Sequence, residues 1–218
     1  PGGRAQDAVA VLGLIALVGV AYANAISAPF VYDDYGSIVE NPAVHWRELS
    51  VDNARTALLR STTRRVIANW SFGLDHRISG LDSRAFHATN VAIHAVTVVL
   101  VYALLLHLLR RRSGVREAPD EGATRLAAAI GAAVFAVHPL GTQAVTYVVQ
   151  RMASLAAMFC VASLLLYVRG RAQSGGRRAA WWFGSVLAWA LAIGSKESAA
   201  TFPVVIALYE WLLRRGAD

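Results

Sequence analysis

Cysteine is almost missing from this chain of 218 residues, since Cys160, inside an apolar run, is the only one. A single cysteine excludes a disulfide within the chain and suggests no thiolate metal site. The sequence also lacks a glycine-rich phosphate loop and an internal repeat. Lysine is equally rare, because every basic residue except Lys196 is arginine. Rich use of arginine and alanine with so little lysine is typical of a bacterium with a GC-rich genome.

Long apolar blocks decide the class of protein. Hydrophobic residues make up 56% of the chain and the mean hydropathy is +0.44. This is too apolar for an ordinary soluble domain and indicates an integral membrane protein. The net charge of +7 and the pI near 10.2 would favour nucleic acid binding in a soluble protein. Here the arginines cluster at the ends of the apolar blocks, so the positive-inside bias explains the charge, and we expect no nucleic-acid partner.

The apolar blocks predict an all-α, polytopic membrane protein with about six transmembrane helices in a single membrane domain, residues 1–218. Helix one covers 9–26, a large polar loop covers 28–85, and helices two to six occupy 86–213. The later segments are 86–109, 126–137, 144–168, 179–194 and 199–213. Three of them are short for a bilayer core of ~30 Å, which tilting or bilayer thinning accommodates.

The large loop carries seven basic and seven acidic residues and is therefore nearly neutral. It contains two short apolar segments, Val51–Leu59 and Val66–Leu74, with Trp46 and Trp70 close by. Because tryptophan favours the membrane–water interface, we expect these segments to be short interfacial helices. A packed soluble loop is the alternative.

The arginines predict the orientation. If the six segments alternate, one side of the membrane receives 12 basic residues, and the opposite side receives the nearly neutral loop. The positive-inside rule places the basic side in the cytoplasm. We therefore expect a multi-pass protein of the bacterial inner (cytoplasmic) membrane with a cytoplasmic N-terminus and a periplasmic first loop. The basic residues are Arg4, Arg110, Arg111, Arg112, Arg116, Arg125, Arg169, Arg171, Arg177, Arg178, Arg214 and Arg215.

The same topology gathers polar and titratable residues from different segments at the outer membrane boundary. One-sided clustering of such groups is what an active site at the membrane–water interface requires. Adjacent carboxylates, as in Asp33-Asp34, gain little from packing and are candidates for a general base or a metal ligand; a solvated turn is the alternative. The set comprises Asp33, Asp34, Asn41, Arg64, Arg65, His87, Asn90, His94, His138, Gln150, Arg151, Lys196 and Glu197.

Three of these residues share one face of helix two. His87, Asn90 and His94 are spaced i, i+3, i+7, so their side chains lie together, and one interpretation is contact with a phosphate, a metal or an acceptor. The alternative is a hydrogen-bonding stripe between helices. The two imidazoles are about 10 Å apart along the helix, too far to hold one metal ion unaided.

Each of the remaining basic residues has two possible roles. Arg64-Arg65 in the loop suits a phosphate or is a solvated charge pair. Arg151 lies inside a membrane-like run, where a cation needs a partner or a water-filled cavity. Lys196-Glu197 is either a self-compensating ion pair or a lipid-phosphate contact beside a carboxylate.

The order of these motifs resembles the N-terminal membrane half of the GT-C glycosyltransferases. The closest group is the O-mannosyltransferase-like membrane proteins that often carry C-terminal tetratricopeptide repeats. The resemblance covers about residues 28–210 and rests on the ordered set rather than on any single motif. The motifs are Phe30-Val31-Tyr32-Asp33-Asp34, Ile38-Val39-Glu40-Asn41, Ser71-Phe72, Gly80-Leu81-Asp82, Phe86-His87 with Asn90 and His94, Phe135-Ala136-Val137-His138-Pro139 with Thr142, Ala144-Val145 and Tyr147, then Arg151 and Ser195-Lys196-Glu197.

The resemblance implies inverting transfer of a sugar, mannose in this group, from a polyprenyl-phosphate donor to an acceptor hydroxyl outside the cytoplasm. It implies that Asp33 or Asp34 takes the proton of the acceptor and that cations near the phosphate stabilise the leaving charge. Some GT-C enzymes use a divalent metal; no cofactor is certain here, and no metal ligands are assigned. The expected donor-phosphate or acceptor contacts are Arg65, His87, Asn90, His138, Arg151, Lys196 and Glu197.

Two departures keep an alternative open. The family usually has Arg-Pro-Leu where this chain has Arg65-Val66-Ile67, and it has more helices than this chain. We therefore expect a fragment or a truncated relative. The alternative function is a non-catalytic accessory subunit of a larger membrane complex, with protein partners. A small transporter would instead place polar groups near the membrane midplane on broken helices.

Overall fold

The computed structural model describes residues 2–59, 65–111 and 120–215. Within these ranges the chain is helical and has no β-strand. Its α-helices are α1 (Gly2–Ala21), α2 (Val51–Leu59), α3 (Val66–Ser79), α4 (Ser83–Arg110), α5 (Glu121–Val137), α6 (Thr142–Thr146), α7 (Arg151–Arg171), α8 (Gly175–Ser195) and α9 (Phe202–Arg215).

Several of these helices are long and apolar enough to cross a membrane. Three qualify alone, namely Gly3–Ala21, Ser83–Arg110 and Val148–Arg171. A fourth span results if Glu121–Val137 and Pro139–Thr146, which meet at a bend of 50°, count together. The fold is thus an all-helical one that fits a multi-pass membrane protein. The further spans expected at 179–194 and 199–213 stay predictions.

Helix α4 is central, because it packs against α1, α5 and α7, while α8 runs along α7. Small residues allow the close approach. Ala128, Ala132 and Ala136, at four-residue intervals on α5, are fully buried. In the pair of α7 and α8, the hydroxyl of Ser163 donates to the carbonyl of Ser185 at 2.9 Å, and the reverse bond is 2.8 Å. Small and hydroxyl-bearing residues are the usual contacts between membrane helices.

The expected helix at 144–168 is interrupted, so that boundary was wrong. Helix α6 ends at Thr146 and α7 begins at Arg151. The intervening backbone is bonded to side chains from elsewhere: Val149 N–H donates to Asp34, and the Asn90 amide donates to the carbonyls of Val145, Tyr147 and Val148. These side chains replace the hydrogen bonds that a continuous helix would make, and therefore stabilise the break.

The two ends of the bundle differ in charge. At one end, Arg125 Nε bonds Asp7 at 3.1 Å and Arg110 bonds Glu121 at 2.9 Å, so the start of α1, the end of α4 and the start of α5 meet. The segment 28–59 and α3 lie at the other end, near the start of α7.

Helix α2 has the predicted bounds and α3 extends five residues beyond the predicted Leu74, to Ser79. The position of both helices at a membrane surface stays a prediction.

Candidate functional site

The backbone before the two aspartates is unusual. Tyr32 has a φ of 44°, a left-handed conformation that side chains with a Cβ rarely adopt and that surrounding structure has to stabilise. After this turn, Asp33 is exposed and Asp34 is fully buried. The turn therefore gives the neighbouring carboxylates two different environments.

Asp34 fastens the loop to the break before α7. Its Oδ1 accepts from Val149 N–H at 2.8 Å and its Oδ2 accepts from Val31 N–H at 3.0 Å. Burial raises the pKa of this carboxyl, although both backbone bonds act in the opposite direction. Both oxygens are thus occupied by backbone donors, which suits a positioning role. The backbone N–H of Asp33 donates to the Tyr147 hydroxyl at 2.8 Å and holds the same loop from the other side.

Asp33 lies in the wall of a cavity of about 320 Å³. The cavity brings together residues from the Asp loop, the start of α3, the break before α7 and the end of α8. Three charged side chains face it, a carboxylate from Asp33 and cations from Arg65 and Lys196. The described residues that line it are Asp33, Gly36, Ser37, Arg65, Val149, Gln150, Met152 and Lys196.

Arg65 is held at the cavity wall by a two-pronged ion pair. Its Nη2 lies 2.7 Å from Glu197 Oε1 and its Nε lies 3.0 Å from Oε2. This pair lowers the pKa of Glu197 to about 2 and raises the pKa of Arg65. The remaining Nη1 points to the sulfur of Met152 at 2.9 Å. Lys196 makes no ion pair within the described ranges, so its ammonium is the less committed cation.

An apolar groove of about 290 Å³ adjoins the polar cavity, and Lys196 lines both. Small residues of α7, including Ala153, Ala156 and Cys160, form one wall, and Phe202 and Val205 of α9 form part of the other. The groove therefore continues from a charged compartment into the apolar part of the helix bundle. A charged cavity that leads into an apolar groove matches an amphipathic molecule with an anionic head and a hydrocarbon chain.

Arg151 lies beneath this region and is fully buried. Its Nη2 lies 2.6 Å from Asp75 Oδ2 and donates to the Phe86 carbonyl at 2.8 Å, and its Nε donates to Asn90 Oδ1 at 2.7 Å. Its Nη1 donates to Ser71 at 3.3 Å, and the Phe72 ring lies 4.7 Å away. These contacts join α3, α4 and α7, which gives Arg151 a structural role; its predicted contact with a phosphate stays a prediction.

Asn90 and His87 belong to the same buried layer. The Asn90 amide accepts from Arg151 and donates to the broken backbone before α7. The His87 ring is 1% exposed and lies near the carbonyls of Ala28 and Pro29 and the charges of Asp34 and Arg151. Neither ring nitrogen makes a well-aligned hydrogen bond in the described part of the chain. Both residues support the cavity from below and do not line it.

His138 is not brought to this cavity. It lies at the end of α5, where its Nδ1 accepts from Leu140 N–H at 3.2 Å. Together with His94 it lines a different, mainly apolar cavity of about 350 Å³. The predicted set therefore divides into three: Asp33, Arg65, Lys196 and Glu197 at the cavity, Asp34, His87, Asn90 and Arg151 below it, and His138 apart. Arg64 lies outside the described residues.

A divalent metal does not fit the donors of this cavity. Asp33 supplies the one carboxylate among the described lining residues, and two cations face it. Among the residues that the structure covers, no cluster of three or more His, Cys, Asp and Glu side chains has metal-binding geometry. A hard divalent cation prefers several oxygen ligands without competing positive charge.

Sequence reasoning missed Asp75, the partner of Arg151. The available signal was its position within the apolar stretch of α3, four residues after Ser71, which places both on the side of the helix that faces Arg151. Tyr147 appeared only within a motif, and nothing in the sequence predicts its bond to the backbone of Asp33.

Comparisons with known proteins point to one group. The chain is 33% identical to Protein O-mannosyl-transferase Tmtc1 of Drosophila melanogaster over 98% of its length, and 30% identical to Protein O-mannosyl-transferase TMTC2 of Homo sapiens over 87%. It is 27% identical to Protein O-mannosyl-transferase TMTC3 of Mus musculus over 93%. No family model and no solved structure matches it.

The chain spans less than a quarter of each of these three relatives. The matched stretch is 24% of the Drosophila protein, 22% of the human protein and 21% of the mouse protein. Over most of its length, the chain is similar to part of proteins named protein O-mannosyl-transferases.

Proposed function

We propose that this chain contains the active site of a GT-C type membrane mannosyltransferase. It moves a mannosyl group from a polyprenyl-phosphate donor to an acceptor hydroxyl on the extracytoplasmic side. The observation that carries the proposal is the cavity in which Asp33, Arg65 and Lys196 meet beside an apolar groove. The names of the relatives support the sugar, and the shape of the site supports a lipid-linked donor.

The donor lies across the two compartments. The phosphate contacts Lys196, and the Arg65–Glu197 pair forms the wall beside it. The isoprenoid chain lies in the groove between α7 and α9, where small side chains such as Ala156 leave room for branched hydrocarbon. An anionic head in a partly enclosed site gains more from a cation than it would in water.

Transfer then proceeds by inversion. The Asp33 carboxylate takes the proton of the acceptor hydroxyl as that oxygen forms its bond to the anomeric carbon. The bond between the anomeric carbon and the phosphate oxygen breaks, and its electron pair leaves with the polyprenyl phosphate. Lys196 stabilises the charge that develops on this oxygen. Asp34, bonded to two backbone N–H groups, keeps Asp33 at the cavity.

The charge distribution supports the orientation. Arg110, Arg125, Arg169 and Arg171 lie at the helix ends opposite the cavity, and the positive-inside rule assigns that end to the cytoplasm. In the proposed bacterial inner membrane, the cavity then faces the periplasm, where a polyprenyl-phosphate sugar and a secreted acceptor meet.

A transfer assay in liposomes tests the proposal. Protein supplied with polyprenyl-phosphate mannose and an acceptor peptide is expected to form mannosylated product, and to form none from a nucleotide-linked mannose. Loss of product in Asp33→Asn would support the site. Equal product from wild type, Asp33→Asn and Asp34→Asn would remove the proposed base, whereas a wild-type protein that forms no product would favour the accessory-subunit alternative.

A further inference from the structure

A second polar cavity lies at the arginine-rich end, away from the proposed transfer site. It has a volume of about 290 Å³ and lies between α1, α4 and α7. Its polar lining comes from Asp7, Tyr102, His107, Arg110 and Arg169, and its apolar lining from Val11, Val99, Ala103 and Leu106. Polar and apolar walls therefore meet at the end of three membrane-length helices.

Two described carboxylates at this end, those of Asp7 and Glu121, are already bound within the protein. Asp7 accepts from the Tyr102 hydroxyl at 2.9 Å and from Arg125 at 3.1 Å. Glu121 lies 2.9 Å from Arg110 and 3.0 Å from Arg125.

The arginines outnumber these acids. Arg169 forms no ion pair among the described residues, and its guanidinium lies 5.9 Å from the centre of the Trp181 ring. With Arg110, Arg111 and Arg125 also present, the cavity keeps a positive potential that favours an anion.

His107 provides an independent indication of a ligand. Its Nε2 is buried and makes no well-aligned hydrogen bond among the described residues, although the ring lies close to the carbonyl of Val168. The charges of Arg110, Arg111 and Arg169 all act on this ring, so it lies within the basic cluster. A buried ring nitrogen without a well-aligned hydrogen bond is unfavourable, and a polar group in the cavity would improve its bonding.

The helix dipole is an alternative explanation for the arginines, and it accounts for only part of the observations. Arginine near the C-terminal end of a helix is stabilised by the helix dipole, which would explain Arg110 on α4 and Arg169 on α7. It does not explain why both line one cavity, or why the His107 nitrogen inside that cluster lacks a well-aligned hydrogen bond.

We propose that this cavity binds the phosphodiester headgroup of an anionic phospholipid from the adjacent leaflet. A guanidinium fork suits two phosphate oxygens, and basic pockets between membrane helices are suited to such headgroups. The apolar wall formed by Val11, Val99 and Leu106 lies where the acyl chains begin. This inference does not depend on the proposed transferase activity.

Native mass spectrometry of the purified protein with retained lipids tests the proposal. Phosphatidylglycerol is expected to be retained in preference to phosphatidylcholine. Arg169→Ala should weaken its retention by roughly tenfold, as expected from the loss of one charge-assisted contact. Arg177→Ala, an exposed arginine on α8 that lines none of the cavities above, is the matched control and should retain the lipid as wild type does.

Further experiments test whether a variant still folds and whether the bound ligand is a lipid or free phosphate. Thermal unfolding identifies any variant that fails to fold, and Arg169→Lys, which keeps the charge without the fork, should retain more lipid than Arg169→Ala. Retention by Arg169→Ala equal to that of Arg177→Ala would overturn the site. Equal retention of phosphatidylcholine, or displacement of the lipid by millimolar inorganic phosphate, would overturn the assignment to an anionic lipid.

Discussion

Arg151 and Asp75 form an ion pair in the protein interior, with 2.6 Å between Nη2 and Oδ2. Arg151 is fully buried, and its other contacts reach Asn90 and the Phe86 carbonyl on α4. One guanidinium therefore ties α3 of the loop to the two helices that support the candidate site. Loss of its counter-charge should affect both stability and the shape of the cavity.

Asp75→Ala should lower the free energy of unfolding by about 3–5 kcal/mol, because it leaves a buried guanidinium without its carboxylate. Unfolding in detergent micelles measures this. The control is Asp52→Ala, an exposed carboxylate on α2, which should stay within about 0.5 kcal/mol of wild type. The double variant Arg151→Met with Asp75→Leu should regain most of the loss. Equal effects of Asp75→Ala and Asp52→Ala would contradict the role assigned to the pair.

Glu197 predicts a pH dependence of stability. Its pKa is about 2 in the folded protein, against 4.5 ordinarily. Because the folded pKa is the lower one, the pair with Arg65 stabilises the fold above the ordinary pKa. That stabilisation is lost as the pH falls through the folded value.

The difference in unfolding temperature between wild type and Glu197→Gln should therefore be constant from pH 7 to about 5 and disappear towards pH 2. High salt should reduce it, since the pair is partly exposed. A difference that persists unchanged below pH 2, or that grows on acidification, would show that the pair does not cause it.

Gly73 should tolerate no side chain. A Cβ at this position of α3 would lie 2.5 Å from ring carbons of the buried Trp46. Gly73→Ala should therefore destabilise the protein by about 1–3 kcal/mol through overpacking. Gly13→Ala on α1 is the matched control, since nothing lies within 4 Å of its added Cβ; it should be neutral or stabilising. A neutral Gly73→Ala would contradict the packing of α3 against Trp46.

Lys196 should act on the chemical step. Lys196→Met is expected to lower kcat by about 10²-fold, the usual effect of removing one group that stabilises developing negative charge. Lys196→Arg, which keeps a cation at the cavity, should retain a larger part of the rate. Equal rates for both variants and wild type in the liposome assay would remove Lys196 from the site.

The sequence allowed much of the fold to be predicted. Hydrophobic blocks identified an all-helical membrane protein, and α2 has the bounds expected from its short apolar run, because length and apolarity are local properties. The break at 147–150 was missed, since it depends on hydrogen bonds from Asp34 and Asn90, distant in sequence. The different roles of Asp33 and Asp34 were hidden for the same reason: the sequence shows two equal carboxylates, and only the turn at Tyr32 separates them.

The rate of mannosyl transfer by Asp33→Asn, compared with Asp52→Asn, tests the central claim most directly. Both substitutions remove one exposed carboxylate, but only Asp33 lines the cavity. We expect Asp33→Asn to be slower by about 10²–10⁴-fold, the range for loss of a general base, with an unchanged unfolding temperature. Equal transfer rates for the two variants would contradict the assignment of Asp33 as the base.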